Sequence, residues 1–146
     1  MKERSFLDTS VLLATDDTQA PEKQALALAL LQAGWASGHA VISTQVLREY
    51  FSASTQKLGI PIDLAQRKIE LMASQMEVIS IDSEDILQAI ELNKAQAFSF
   101  WEALIIRMAQ KSECRVLYSD VIQAERSLAG LQIINPFQSA NNSKPS

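Results

Sequence analysis

The sequence predicts an α/β protein, a parallel β-sheet covered on both faces by helices. Two observations carry this. Short apolar runs alternate with longer stretches of helical periodicity along the 146 residues, and such alternation marks parallel strands joined by crossover helices. Composition is the second: 47% of residues are hydrophobic and 21% charged, which suits a packed core and argues against wholesale disorder. One domain, 1–137, is expected at this length, with a polar tail at 138–146.

The elements follow in order. Ser5-Phe6-Leu7 is a brief strand ending at Asp8. Pro21 and Glu22 open a helix to about Ser37, with proline suited to the first turn and Gly38 just past the end. Ala40 to Ser43 is the second strand. Thr44 to Leu58 carries Val46, Leu47, Tyr50 and Phe51 at helical spacing, stopped by Gly59-Ile60-Pro61. Asp63 and Gln66 form a candidate capping box for a helix reaching about Met76. Glu77 to Ile81 is the third strand, and Asp82, Ser83 and Glu84 crowd the start of the next helix, as its dipole prefers. A helix from about Phe100 to Glu113 precedes the fourth strand, Val116-Leu117-Tyr118, and Leu131 to Ile134 is the fifth.

The net charge of −4 argues against a nucleic-acid binder with a uniformly basic surface, though not against a nuclease with a local basic rim. The lone Cys114 excludes an intrachain disulfide and fits a reducing compartment. No signal-peptide pattern opens the chain, and its most apolar stretch is too short to span a bilayer. A cytoplasmic protein with no membrane association is expected. The single histidine, His39, has no Gly-x-Ser-x-Gly elbow, so it reads as a turn residue rather than a triad member. The four glycines match no phosphate-binding fingerprint.

In parallel sheets ligands bind beyond the carboxyl ends of the strands. Asp8 ends the first strand, Glu49 lies in the helix after the second, Asp120 follows the fourth, and Glu102 opens the helix before it. Clustered carboxylates are stable together only with a cation or shared protons. Their hard oxygens select Mg²⁺ or Mn²⁺, which suits phosphodiester hydrolysis. Each acid also has a plainer reading. Asp8 fits a helix cap, Glu49 a solvated helix face, and Asp120 a turn, while Ser99-Phe-Trp-Glu102 fits a capping box. Arg48, Lys57, Arg67, Lys68, Arg107 and Lys111 are candidate phosphate contacts or solvated faces, and Trp101 either lines the cleft or joins the core.

The chain resembles the PIN-domain family, in particular the VapC-type toxins of toxin–antitoxin pairs. The likeness rests on Phe6-Leu-Asp-Thr-Ser-Val-Leu-Leu13, Val41-Ile-Ser-Thr-Gln-Val-Leu-Arg-Glu-Tyr-Phe51, Ser99-Phe-Trp-Glu-Ala-Leu-Ile-Ile106, Val116-Leu-Tyr-Ser-Asp120 and Ile134-Asn-Pro-Phe137. It implies a three-layer α/β/α fold and an Mg²⁺- or Mn²⁺-dependent endoribonuclease. Asp8, Glu102 and Asp120 would hold metal, with Glu49 completing the acidic cluster or assisting the attacking water. The hydroxyls of Thr9, Ser10 and Ser119 would orient the carboxylates. It further implies an RNA substrate, a cognate antitoxin over the cleft, and a homodimer. The apolar face Val46, Leu47, Tyr50 and Phe51 would suit such partners if exposed.

Two positions depart from the family pattern. Glu102 stands where Asp is usual, and its extra methylene moves the carboxylate by about 1.5 Å. After the fourth strand, Val121 takes the place of the usual last Asp, with Asp120 one residue early. A one-residue shift in an extended segment turns a side chain to the opposite face. The alternative reading is therefore a weakened or silent PIN domain that binds RNA or an antitoxin. A phospho-accepting receiver domain is a third; Asp82 partly matches it, but the acidic pair it needs near the first strand is missing.

Overall fold

The computed structural model describes residues 3–96, 98–122 and 127–138. Five strands run parallel: β1 (Ser5–Leu7), β2 (Ala40–Ser43), β3 (Glu77–Ile79), β4 (Val116–Tyr118) and, at the far side, a strand at Leu131–Ile134. The last is β6, because Ser127–Leu128 forms an antiparallel edge strand, β5. The sheet order is β3-β2-β1-β4-β6-β5. Helices α1 (Thr9–Ala14), α2 (Pro21–Ser37), α3 (Thr44–Gln56), α4 (Ile62–Gln75), α5 (Ser83–Gln96) and α6 (Phe100–Lys111) flank it.

All three residues of β1 are buried, as a central parallel strand requires. Phe6 sits in register with Val41 on one side and Leu117 on the other. Phe6, Ile42, Tyr50, Ile106, Leu117 and Ile133 are fully buried and anchor the core. From β1 the chain builds β2 and β3 outward on one side, then crosses to β4 on the other. That reversal is a topological switch point, and it opens a crevice at the carboxyl ends of β1, β2 and β4.

Local signals account for most helix ends. Pro21 stands in the first turn of α2, and Gly38, at φ 74°, closes it in the left-handed region that favours glycine. Ser43 caps α3 by accepting from Val46 N at 3.4 Å. Asp82 and Asp85 cap α5 reciprocally, each backbone N–H donating to the other's carboxylate at 2.9 and 3.1 Å.

Several expectations need correction. The Asp63–Gln66 capping box does not form. Helix α4 begins one residue earlier, and its cap position, Pro61, makes no side-chain hydrogen bond. Helix α1 and strand β5 were not expected as elements, and β3 stops at Ile79. Within α3, Val46 and Tyr50 enter the core while Phe51 is partly exposed. The expected tail lies outside the described residues apart from Gln138. Among the described residues no helix is long and apolar enough to cross a membrane.

Asp85 supplies the main buried charge of the α5–α6 contact. It is wholly buried and accepts from Arg107 Nε at 3.2 Å and Lys111 Nζ at 2.9 Å. Burial alone would push its carboxyl up, but the hydrogen bonds from Asp82 N, Lys111 and Arg107 outweigh it and hold the group below the usual carboxylate value.

Candidate active site

The crevice is organised around Asp8. Its backbone N–H donates to Tyr118 O at 3.0 Å, carrying the β1–β4 ladder one step past the strands. Its side chain then caps α1, with Oδ1 accepting from Thr9 N at 2.8 Å. Oδ2 accepts from Ser119 Oγ at 2.7 Å and Ser10 Oγ at 3.1 Å. Only 4% of Asp8 is exposed. Burial pushes its carboxyl up, the bonds from Ser119, Ser10 and Thr9 pull it down, Glu49 adds repulsion, and the net direction is upward.

Glu49, on α3, joins Asp8 through Thr9, whose Oγ1 donates to Glu49 Oε1 at 2.8 Å. Gln45, one turn earlier, donates from Nε2 to Glu49 Oε2 and to Trp101 O, both at 3.2 Å. Both partners are pure acceptors, which fixes the amide orientation. Gln45 is almost fully buried, and its Oε1 has no hydrogen-bond partner among the described residues. Glu102 does form the capping box of α6: Ser99 N donates to its Oε1 at 3.0 Å, and its own N–H donates to Ser99 Oγ at 3.2 Å. It also borders the crevice. Asp8, Gln45, Glu49, Trp101, Glu102, Ile105, Val121 and Ile122 line one cavity of about 90 Å³.

Asp120 is not part of that lining. It borders a neighbouring pocket of about 230 Å³ with Ser10, Asp17, Lys23 and Lys57, and lies 3.6 Å from Lys23 Nζ. The cause is in the backbone after β4. Ser10 Oγ accepts from Asp120 N at 3.2 Å, and Ser119 Oγ accepts from Val121 N at 3.2 Å and Ile122 N at 3.1 Å. The two serines that donate to Asp8 thus hold three successive backbone N–H groups. In that arrangement Val121 faces the carboxylates and Asp120 faces Lys23.

The PIN domain family matches residues 5–127. The chain belongs to the PIN-domain family. The receiver-domain alternative falls with that match. No curated protein matches the chain at a significant level. Among solved structures, Mycobacterium tuberculosis VapC20, described as a sarcin–ricin loop cleaving toxin, is 21% identical, covering 77% of this chain and 86% of its own, with a TM-score of 0.62. A toxin–antitoxin complex from Klebsiella pneumoniae is 15% identical, covering 90% and 97%, at 0.65. VapBC2 from Rickettsia felis, bound to a promoter DNA fragment, is 17% identical, covering 88% and 96%, at 0.63. At these identities the likeness is one of fold.

The PIN fold implies a divalent cation, and the cavity's donors suit one in kind. Among the described residues they are three carboxylates and the unpartnered Gln45 amide oxygen, all hard oxygens, and no basic side chain of those residues lines the cavity. Among the described residues no three acids stand close enough together to form a ready-made cage. Mg²⁺ does not require one, since it commonly takes one or two carboxylates plus water and substrate phosphate.

Other candidates lie elsewhere. Arg107 and Lys111 are committed to Asp85, and Lys68 to Asp16 and Thr15. His39 precedes β2, at the amino ends of the strands and away from the crevice. Cys114 is buried in the core, and burial pushes its thiol up. Gln45 is the site residue that sequence reasoning missed; its one signal is a position one helical turn before Glu49.

Proposed function

We propose that this PIN domain is an endoribonuclease of the VapC toxin type, hydrolysing RNA phosphodiesters at the cavity of Asp8, Glu49 and Glu102. The observation that carries the reading is the convergence of three acids, delivered by β1, α3 and α6, on one cavity at the switch point. One or two of these carboxylates, with water and substrate phosphate, would hold Mg²⁺ or Mn²⁺, and an ion of this kind would lower the pKa of its water and neutralise phosphate charge.

The chain's own groups divide the remaining work. Thr9, Ser10 and Ser119 fix the Asp8 and Glu49 oxygens in place through the hydrogen bonds above. Glu49 can accept a proton from an attacking water, and Gln45 Oε1 supplies a buried acceptor on the same wall. The capping box uses one oxygen of Glu102, Oε1. Asp120, paired with Lys23, stands outside this assignment. By the same family likeness we propose a cognate antitoxin over the cleft and a homodimer.

A second reading is a weakened or silent PIN domain that binds RNA or the antitoxin. It is favoured by Val121 in the cavity and Asp120 turned to Lys23. The test is incubation of the purified protein with total RNA and Mn²⁺, beside Asp8→Asn. Discrete fragments that vanish with the substitution and with chelation support the nuclease. Intact RNA, with the fold preserved, supports the silent domain.

A further inference from the structure

Trp101 is 58% exposed and Val121 64% exposed, and both border the carboxylate cavity. An indole ring is usually buried far more fully than this. Trp101 packs edge-on against Phe100, with ring centroids 5.5 Å apart, so its position is braced. Its carbonyl accepts from Gln45, and Gln45 also donates to Glu49. The main chain that carries the ring is therefore tied through Gln45 to one of the proposed hydrolytic acids. Ile105 and Ile122, both buried, line the same cavity. The cavity lining thus combines carboxylates with an exposed aromatic ring and a branched aliphatic side chain.

We infer that Trp101 and Val121 form a nucleobase platform, on which an unpaired base next to the scissile phosphate stacks. The inference rests on the ribonuclease reading and adds to it the residues that hold a base beside the cut. A base offers the π-face that an exposed indole attracts, and stacking is tolerant of base identity. The cavity beside the ring, at about 90 Å³, has no room for a partner helix. Val121 brings no charge to the lining and adds apolar surface to that of Trp101. Duplex RNA has its bases stacked internally and offers none to the ring.

The test uses the full chain with a short 2′-O-methylated RNA, which resists cleavage, as a single strand and as a duplex. Binding is followed by anisotropy of a dye on the RNA, and stacking by tryptophan emission. The chain has two tryptophans, and Trp101→Phe leaves Trp35 as the reference. The single strand should quench the wild type, and the quench should vanish in Trp101→Phe while most affinity remains. Trp101→Ala should weaken binding roughly 5- to 150-fold, the range that one stacked base spans. The duplex should leave the emission unchanged. RNA binding with no quench and no loss in Trp101→Ala overturns the platform alone, and leaves that wall to a protein side chain. No RNA binding by the wild type overturns the ribonuclease reading and the platform together. The exposure of Trp101 makes both variants compatible with folding, which circular dichroism checks.

Discussion

Ser119→Ala probes the link between fold and site. Ser119 Oγ is fully buried and makes three hydrogen bonds, donating to Asp8 at 2.7 Å and accepting from Val121 N at 3.2 Å and Ile122 N at 3.1 Å. Loss of the bond to an ionised acceptor costs about 1.5–3 kcal/mol, and a stranded buried N–H about 1–3 kcal/mol. Ile122 is buried and carries that second cost, whereas Val121 is exposed and its N–H can turn to water. The expected destabilisation is about 3 kcal/mol, because relaxation of the loop offsets part of the sum. With a urea slope of about 1–3 kcal/mol per molar for a small protein, the midpoint should fall by on the order of 1–3 M. Ser10→Ala is the control. Ser10 makes one longer bond to Asp8 and holds one N–H from a half-buried position, so about 1 kcal/mol is expected. A Ser119→Ala midpoint within error of wild type, or a larger loss for Ser10→Ala, would refute the argument that Ser119 clamps the loop.

Three further outcomes follow from the same contacts. Asp85→Asn should cost about 2–4 kcal/mol, toward the low end of the usual range for breaking a buried pair, because Arg107 and Lys111 reach solvent. The native Asp85 carboxyl lies below its unfolded value of 3.8, so its stabilisation is present above that pH and fades as pH falls through the folded value. The Tm gap between wild type and Asp85→Asn should therefore narrow on acidification below about pH 4, and a constant gap would contradict the assignment. Glu102→Gln should keep the capping box, since Gln also serves at that position, and cost under about 0.5 kcal/mol. RNA cleavage should nonetheless fall at least about tenfold, and unchanged cleavage would reduce Glu102 to a cap. Val121→Asp restores an acid to the cavity wall and should raise Mn²⁺ affinity on the order of tenfold in a titration; no change would mean that position 121 does not reach the ion.

The legible parts of the fold were those set by local chemistry. All five parallel strands are short apolar runs between turn residues, and Pro21, Gly38 and Ser99 mark helix ends by fixed φ, positive φ and side-chain capping respectively. Helix α1 was harder, because six residues carry little periodicity and Asp8 is its main signal. The α4 start misled because Asp63 is as good an N-terminal residue as it is a cap. Within the site, Asp8, Glu49 and Glu102 do border one cavity, and Asp120 does not. That difference depends on Ser10 and Ser119 catching backbone N–H groups from 120 to 122, which residue spacing cannot express. Arg107 and Lys111 read as free cations in sequence because their partner, Asp85, lies more than 20 residues away.

The central claim is that the Asp8, Glu49 and Glu102 cavity is the chemical centre of this PIN domain. Electron paramagnetic resonance of Mn²⁺ titrated into the purified chain, beside Asp8→Asn and Asp120→Asn, tests it most directly. The account predicts saturable binding that Asp8→Asn abolishes and Asp120→Asn leaves intact. Binding that survives Asp8→Asn, or that Asp120→Asn removes, would put the ion in the Lys23 pocket and contradict the account.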